Sequence, residues 1–283
     1  MDVIHLSNLR MLHSWVDLEE WEEAVQLLKP PKCFCELWDK NPAAVKWAWK
    51  EIEANSKYRL SEIYRDRWRW PDVCPDALFA LGEFLAETEH RTEAALIFDR
   101  LILENMNVGR ITQTAECMDW RARLYWESSD PASAIELLKQ QVQYCVDNED
   151  TAGRAAALNN QALILDDCGE WDQAMELFKE SERLHRETSK NLGLAANLCN
   201  QARLLHDRLR QTEALEMLLN VERIAMENGN DPELARSLLI RTDVLTDLER
   251  GADAHTCAKR GYALAAKVHD KCLMVEFQRR LHD

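Results

Sequence analysis

An all-α solenoid of stacked antiparallel helix pairs is the fold this sequence predicts, and three observations predict it. Five alanines, Ala94, Ala134, Ala174, Ala214 and Ala254, recur at a constant spacing of 40 residues. A second column of small residues, Gly82, Ala122, Ala162, Ala202 and Thr242, runs 12 positions ahead of them. The composition is that of a helical chain: only 8 Gly and 7 Pro among 283 residues, with Ala, Leu and Glu abundant and β-branched residues sparse. A fixed period of this length means stacked copies of one supersecondary unit, each contacting its neighbours. Such an architecture points to binding rather than catalysis.

In chain order, residues 1–74 are irregular and read as a capping module. Leu12, Trp15, Ala24 and Leu28 match one degenerate repeat, with Glu19 to Glu23 leading into its second helix, but Ala24 lies 70 residues before Ala94 and is out of register. Pro30 and Pro31 end that helix. Asn41 and Pro42 read as the cap and first turn of a long helix from about Pro42 to Trp68, closed by Pro71 and Pro75. The module holds seven of the ten tryptophans. Large aromatics cover an exposed core end efficiently, and core filling is their first reading. The net basic stretch from Lys57 to Trp70 carries a sharper one: Arg65, Arg67, Trp68, Arg69 and Trp70 could form a partner surface, or, more weakly, stack on RNA.

Residues 75–270 read as five units of 40 residues. In the unit from Ala155 to Leu194, Leu158, Ala162 and Leu165 form a helical stripe, Gly169 interrupts, and Ala174, Leu177, Phe178 and Leu184 resume it. This is a helix, a short turn and an antiparallel helix. Ala162 and Ala174 fall where the two cross, and small side chains there let ridges enter grooves. Leu198, Ala202, Leu205, Ala214 and Leu218 repeat the plan in the next unit, and Met118, Ala122, Tyr125, Ala134 and Leu138 in the preceding one. Between units, Asp231 reads as an N-cap and Pro232 as first-turn proline. Residues 271–283 read as a last helix covering the final unit; a cap there would make the chain complete rather than a fragment.

The formal charge is −15, of which residues 75–283 carry 24 basic against 37 acidic residues. Such a surface repels phosphate backbones, which disfavours nucleic acid and favours a protein or peptide with basic or mixed charge. Nine cysteines are scattered without a disulfide framework, as in a reduced, cytoplasmic protein, and no leader or membrane-spanning segment is apparent. Cys33 and Cys35 form a lone CxC without a second pair, so neither a metal nor any other cofactor is expected. No phosphate loop, nucleophile elbow or HExxH occurs, and an enzyme is not expected.

From Pro75 to about Ala266 the pattern of a small residue, a large apolar residue three later, an Ala twelve later and a large apolar residue sixteen later resembles the tetratricopeptide repeat. The spacing of 40 is similar to the bacterial long-helix type found in signalling ATPases and beside caspase-like domains. The resemblance implies a right-handed superhelical solenoid whose first helices line a concave face that holds a peptide or partner. Carried onto this chain, the partner-binding residues are Asp119, Trp120, Arg123 and Trp126; Asn159, Asn160 and Asp166; Asn200, Arg203 and His206; and Asp243. Asn160 and Asn200 occupy equivalent places, and an amide can donate to and accept from a peptide backbone at once. Arg123 and Arg203 precede Glu127 and Asp207 by four residues and suit ordinary helix pairs or a ligand carboxylate.

One column is acidic in every unit: Glu87, Glu127, Asp167, Asp207 and Asp247. Each lies near the C-terminal end of its helix, where the dipole disfavours negative charge. The row suits a basic partner, a cation of the neighbouring unit, or plain solvation. The leading expectation is a non-catalytic interaction scaffold. The alternative is a regulatory or sensor subunit for a protease, nuclease or ATPase on another chain, in bacterial defence or signalling.

Overall fold

The computed structural model describes residues 11–28 except 13, 35, 37–39, 41–56, 59–65, 73–88, 90–188 and 191–282. The described residues are helical, without strands. Helices of the N-terminal part are α1 (Trp21–Leu28), α2 (Pro42–Asn55) and α3 (Leu60–Tyr64). The array follows as α4 (Pro75–Glu87), α5 (Arg91–Asn107), α6 (Ile111–Glu127), α7 (Pro131–Asp147), α8 (Thr151–Asp167), α9 (Trp171–Glu187), α10 (Asn191–Asp207), α11 (Gln211–Glu227), α12 (Asp231–Asp247), α13 (Gly251–Lys267) and α14 (Lys271–His282). None of them is long and apolar enough to cross a membrane.

The long helix expected from Pro42 to Trp68 is not continuous. Asn41 caps α2 as expected, its side chain accepting from the Ala44 amide at 3.1 Å. At Ser56 the backbone turns extended (φ −108°, ψ 167°), and its hydroxyl bonds back to the Ile52 carbonyl. Glu53 then holds the start of α3, accepting from the Ser61 amide and hydroxyl. Residues 66–72, including Arg67, Trp68, Arg69 and Trp70, lie outside the described residues.

The chain divides into two compact units, Met1–Ser128 and Ser129–Asp283. The division falls inside the array rather than at residue 74, because the N-terminal module shares one core with the first repeats. Trp49 is buried against Trp38, Tyr64 and Phe84, with ring centroids 6.0, 5.9 and 5.4 Å away. The same cluster runs from Leu12 to Leu124. Five tryptophans of the module, Trp15, Trp21, Trp38, Trp47 and Trp49, pack in or against it, as core filling requires.

Every alanine of the two small-residue columns is buried: Ala94, Ala134, Ala162, Ala174, Ala202 and Ala214 are fully so. A Cβ on Gly82 would lie 2.9 Å from the Phe98 ring, so the small residue is a packing requirement. Sixteen positions beyond the Gly82 column, Phe98, Leu138, Phe178, Leu218 and Ala258 are completely buried. Each large member contributes about 1.5–3 kcal/mol through burial.

From α6 onward, helices begin at 111, 131, 151, 171, 191, 211, 231, 251 and 271, a step of 20. The 40-residue period is therefore two identical steps. The reason is one recurrent cap. Gly109, Ser129, Glu149, Gly169, Leu209, Gly229, Glu249 and His269 all have positive φ, between 58° and 83°. In all but one of these turns the following amide reaches the carbonyl five residues back, as Glu170 does to Leu165 and Arg210 to Leu205, both at 2.9 Å. This is the Schellman closure of a helix C-terminus. N-caps are less regular: Asp130, Asp150 and Asn230 cap through their side chains, whereas Arg110, Glu170, Arg210 and Arg250 do not. The expected cap at Asp231 is corrected to Asn230, whose Oδ1 accepts from the Glu233 amide; Asp231 is the first helical residue.

The last helix, α14, stands in register as the first helix of another unit. Phe277 is its one fully buried side chain among those described, and a Cβ on Gly261 would sit 2.1 Å from its ring. Where α12 presents Leu238 and Thr242 to α13, α14 has Gln278 and His282.

Candidate functional site

Within residues 129–283, the first helices α8, α10, α12 and α14 lie side by side, and most of the polar candidates sit on them. Their small-residue and Leu columns face the core, which turns Asn159, Asn160, Asp166, Asn200, Arg203, His206 and Asp243 toward neighbouring first helices and solvent. Asn159, Asn160 and Asn200 are half-buried. Asn159 Oδ1 accepts from Asn200 Nδ2 at 3.1 Å and from Asn197 Nδ2 at 3.2 Å, while its own Nδ2 donates to Asn160 Oδ1 at 3.4 Å.

Toward the C-terminal ends the ties become ionic. Arg203 Nη2 donates to Asp166 Oδ2 at 3.0 Å, and Asp166 has only 6% of its side chain exposed. Burial pushes the Asp166 carboxyl above its ordinary value; Arg203 pulls it back, but Asp207 and Asp167 add to the push. His206 Nε2 lies 2.8 Å from Asp247 Oδ2. Asp243 receives the Nε and Nη2 groups of Arg280 from α14, a two-pronged pair. Asp166 and Asp243 each meet an arginine 37 positions later, three residues short of the repeat. That offset places the partners one turn back on the next first helix.

In the first unit, Trp120 stacks on Phe98 with centroids 5.8 Å apart, and the Arg123 guanidinium lies 5.0 Å above the Trp120 ring. Trp126 is 39% exposed, and Asp119 is half-buried. Arg123 and Arg91 both bond Glu127, at 2.7 and 3.2 Å. Burial works against the Glu127 charge, yet the two guanidinium bonds outweigh it and hold the carboxyl below its ordinary value.

The acidic column is largely engaged within the chain. Glu87 lies 3.7 Å from Lys50, Glu127 has its two arginines, Asp207 lies 3.9 Å from Arg203, and Asp247 meets His206. Asp167 is exposed. Of the N-terminal basic candidates, Arg65 pairs with Glu62 at 3.2 Å. Among the described residues, no three His, Cys, Asp or Glu converge as metal ligands. Burial pushes the Cys117 thiol up to about 12 and the Cys199 thiol well above its usual value, so both are inert.

Three residues of the polar cluster escape a reading by family analogy: Asn197, Gln201 and Glu182. Gln201 Nε2 donates to Asn197 Oδ1 and to Glu182 Oε2, both at 2.8 Å. A signal for Asn197 exists in the 40-residue column Cys117, Ala157, Asn197, Ser237 and Phe277, every member of which is fully buried. An amide there requires buried partners.

A tetratricopeptide repeat family model matches residues 157–190. No curated protein matches the sequence. Solved structures do. Aspartyl phosphate phosphatase F from Bacillus subtilis superposes with a TM-score of 0.63 at 13% identity, over 98% of this chain and 78% of that one. A Rap protein complexed with competence and sporulation factor gives 0.57 at 14%, over 100% and 86%. A Signal Transduction ATPase with Numerous Domains carrying a tetratricopeptide repeat sensor, from Pyrococcus horikoshii, gives 0.59 at 12%, over 98% of this chain and 46% of that one. Residues 157–190 thus match a tetratricopeptide repeat, and the chain that contains them has a tetratricopeptide-like helical fold.

Proposed function

We propose that this protein is a non-catalytic, cytoplasmic interaction module, and that the first-helix face of α8 and α10 takes an extended segment of a partner polypeptide. The observation that carries this reading is the half-buried amide cluster Asn159, Asn160 and Asn200 on adjacent helices. Amides so placed can bond a peptide backbone without demanding one side-chain sequence. The similar Rap protein was solved in complex with competence and sporulation factor, which supports ligand capture by an array of this fold. The net charge favours a basic or mixed partner. Because most acidic-column residues already have cations, the amides contribute more to recognition than that column does.

A second reading, a regulatory or sensor subunit acting on an enzyme of another chain, is supported by the likeness to the ATPase with a repeat sensor. The two are separated by affinity capture from native lysate on immobilised wild type and on an Asn160→Ala, Asn200→Ala double variant. The interaction reading expects one or more proteins held by the wild type, resistant to nuclease and lost from the variant. A captured enzyme favours the regulatory reading. Capture unchanged by the substitutions rejects this face, and capture abolished by nuclease rejects a direct protein partner.

A further inference from the structure

The amides of this face have a fixed direction, and a carboxylate on the outer helix α9 sets it. Glu182 can only accept, so Gln201 must turn Nε2 toward it. The same Nε2 also donates to Asn197 Oδ1, which commits Asn197 to donate through Nδ2 to Asn159 Oδ1. Asn159 is then an acceptor toward α10, so Asn200 also donates to it. Asn197 and Gln201 are almost fully buried and have no solvent to turn toward. The chain from Glu182 therefore leaves Asn200 Oδ1 as the acceptor this half-buried side chain can offer to a ligand, beside the second hydrogen of Nδ2.

We infer that Glu182 is a positioning residue that fixes the donor–acceptor polarity of the first-helix face, so that Asn200 offers an acceptor and the face selects a ligand segment presenting an N–H. This rests on the peptide-binding reading above. A flipped Asn200 amide would oppose Nδ2 to the peptide N–H and repel it. Glu182 stands outside the contact and acts through Gln201, Asn197 and Asn159 in turn.

The probe is a peptide selected from a displayed random library on the immobilised full chain, then resynthesised with each backbone N–H replaced in turn by an ester oxygen. With wild type, one ester weakens binding by about 5–10-fold, the worth of a single hydrogen bond. With Glu182→Lys, whose head can only donate, Gln201 must present Oε1, every amide behind it reverses, and the same ester costs less than about 2-fold. Glu182→Asp remains acceptor-only and keeps the penalty. Glu182→Gln permits both directions, gives an intermediate penalty, and serves if the Lys variant fails to fold. An equal ester penalty in wild type and in the folded variant overturns the positioning role. No selected peptide, or one indifferent to Asn200→Ala, overturns the peptide reading instead. The polarity is then decided by NMR of the side-chain amides: displaced Asn197 and Asn159 resonances in the variant support it, and unchanged ones overturn it.

Discussion

Replacing Arg203 with alanine isolates one tie between adjacent first helices. Its partner, Asp166, is 6% exposed and accepts a 3.0 Å bond from the guanidinium, which is itself 37% exposed. A hydrogen bond to a charged group contributes about 1.5–3 kcal/mol, and the partial exposure of Arg203 places this one near the low end, about 2 kcal/mol. The sign of the pH dependence follows from Asp166. Burial already holds its carboxyl above the ordinary 3.8, and loss of Arg203 raises it further. A raised native pKa means that the folded chain binds the proton more readily than the unfolded one. This group therefore favours the native state at low pH, and that contribution is lost as pH rises through the native value. The deficit of Arg203→Ala relative to wild type is accordingly larger at about pH 8 than at about pH 4.5, because the orphaned carboxyl, raised further, takes up its proton more readily as the pH falls. Arg203 also lies 3.9 Å from Asp207, and the substitution removes that contact too. Paired urea titrations at the two pH values measure the deficit, with hydrogen exchange of α8 and α10 as the local readout, because repeat arrays unfold in segments. A deficit of the same size at both values refutes the reasoning.

Two further outcomes concern the scaffold. Leu209 is 77% exposed and holds a left-handed conformation at φ 59°, where a side chain gains nothing and costs about 1 kcal/mol. Leu209→Gly should therefore raise the melting temperature by about 1–3 °C, and Gly169→Leu, at φ 83° in the preceding repeat, should lower it; scanning calorimetry showing the opposite order would contradict the cap assignment. Phe277→Ala removes the fully buried anchor of α14 and should cost about 3–5 kcal/mol, read as fast amide exchange confined to α14 and its contacts on α12 and α13.

The alanine columns were legible because steric demand at a helix crossing is local, repetitive and tolerant of few residues. The cap register was not: Glu149, Leu209, Glu249 and His269 adopt a conformation that their types do not announce, because the Schellman bonds impose it. The break at Ser56 was hidden for a similar reason, since Glu53 and Ser61 hold it through side chains eight residues apart. Of the candidate face, the positions could be named in advance. The pairs within one helix, Arg123 with Glu127 and Arg203 with Asp207, were legible too, but the bonds that cross from one repeat to the next were not.

By itself, then, the sequence determined the helical array, its period and the identity of the small residues in its core, since these follow from packing rules that act along the chain. Tertiary structure alone decided which polar groups were consumed. It joined Asp166 to Arg203, Asp247 to His206 and Asp243 to Arg280, and it placed Glu182 at the head of the chain of amides that ends on Asn200. A hydrogen bond depends on distance and direction in space, and a spacing of 37 or 41 residues acquires meaning only after the helices have stacked.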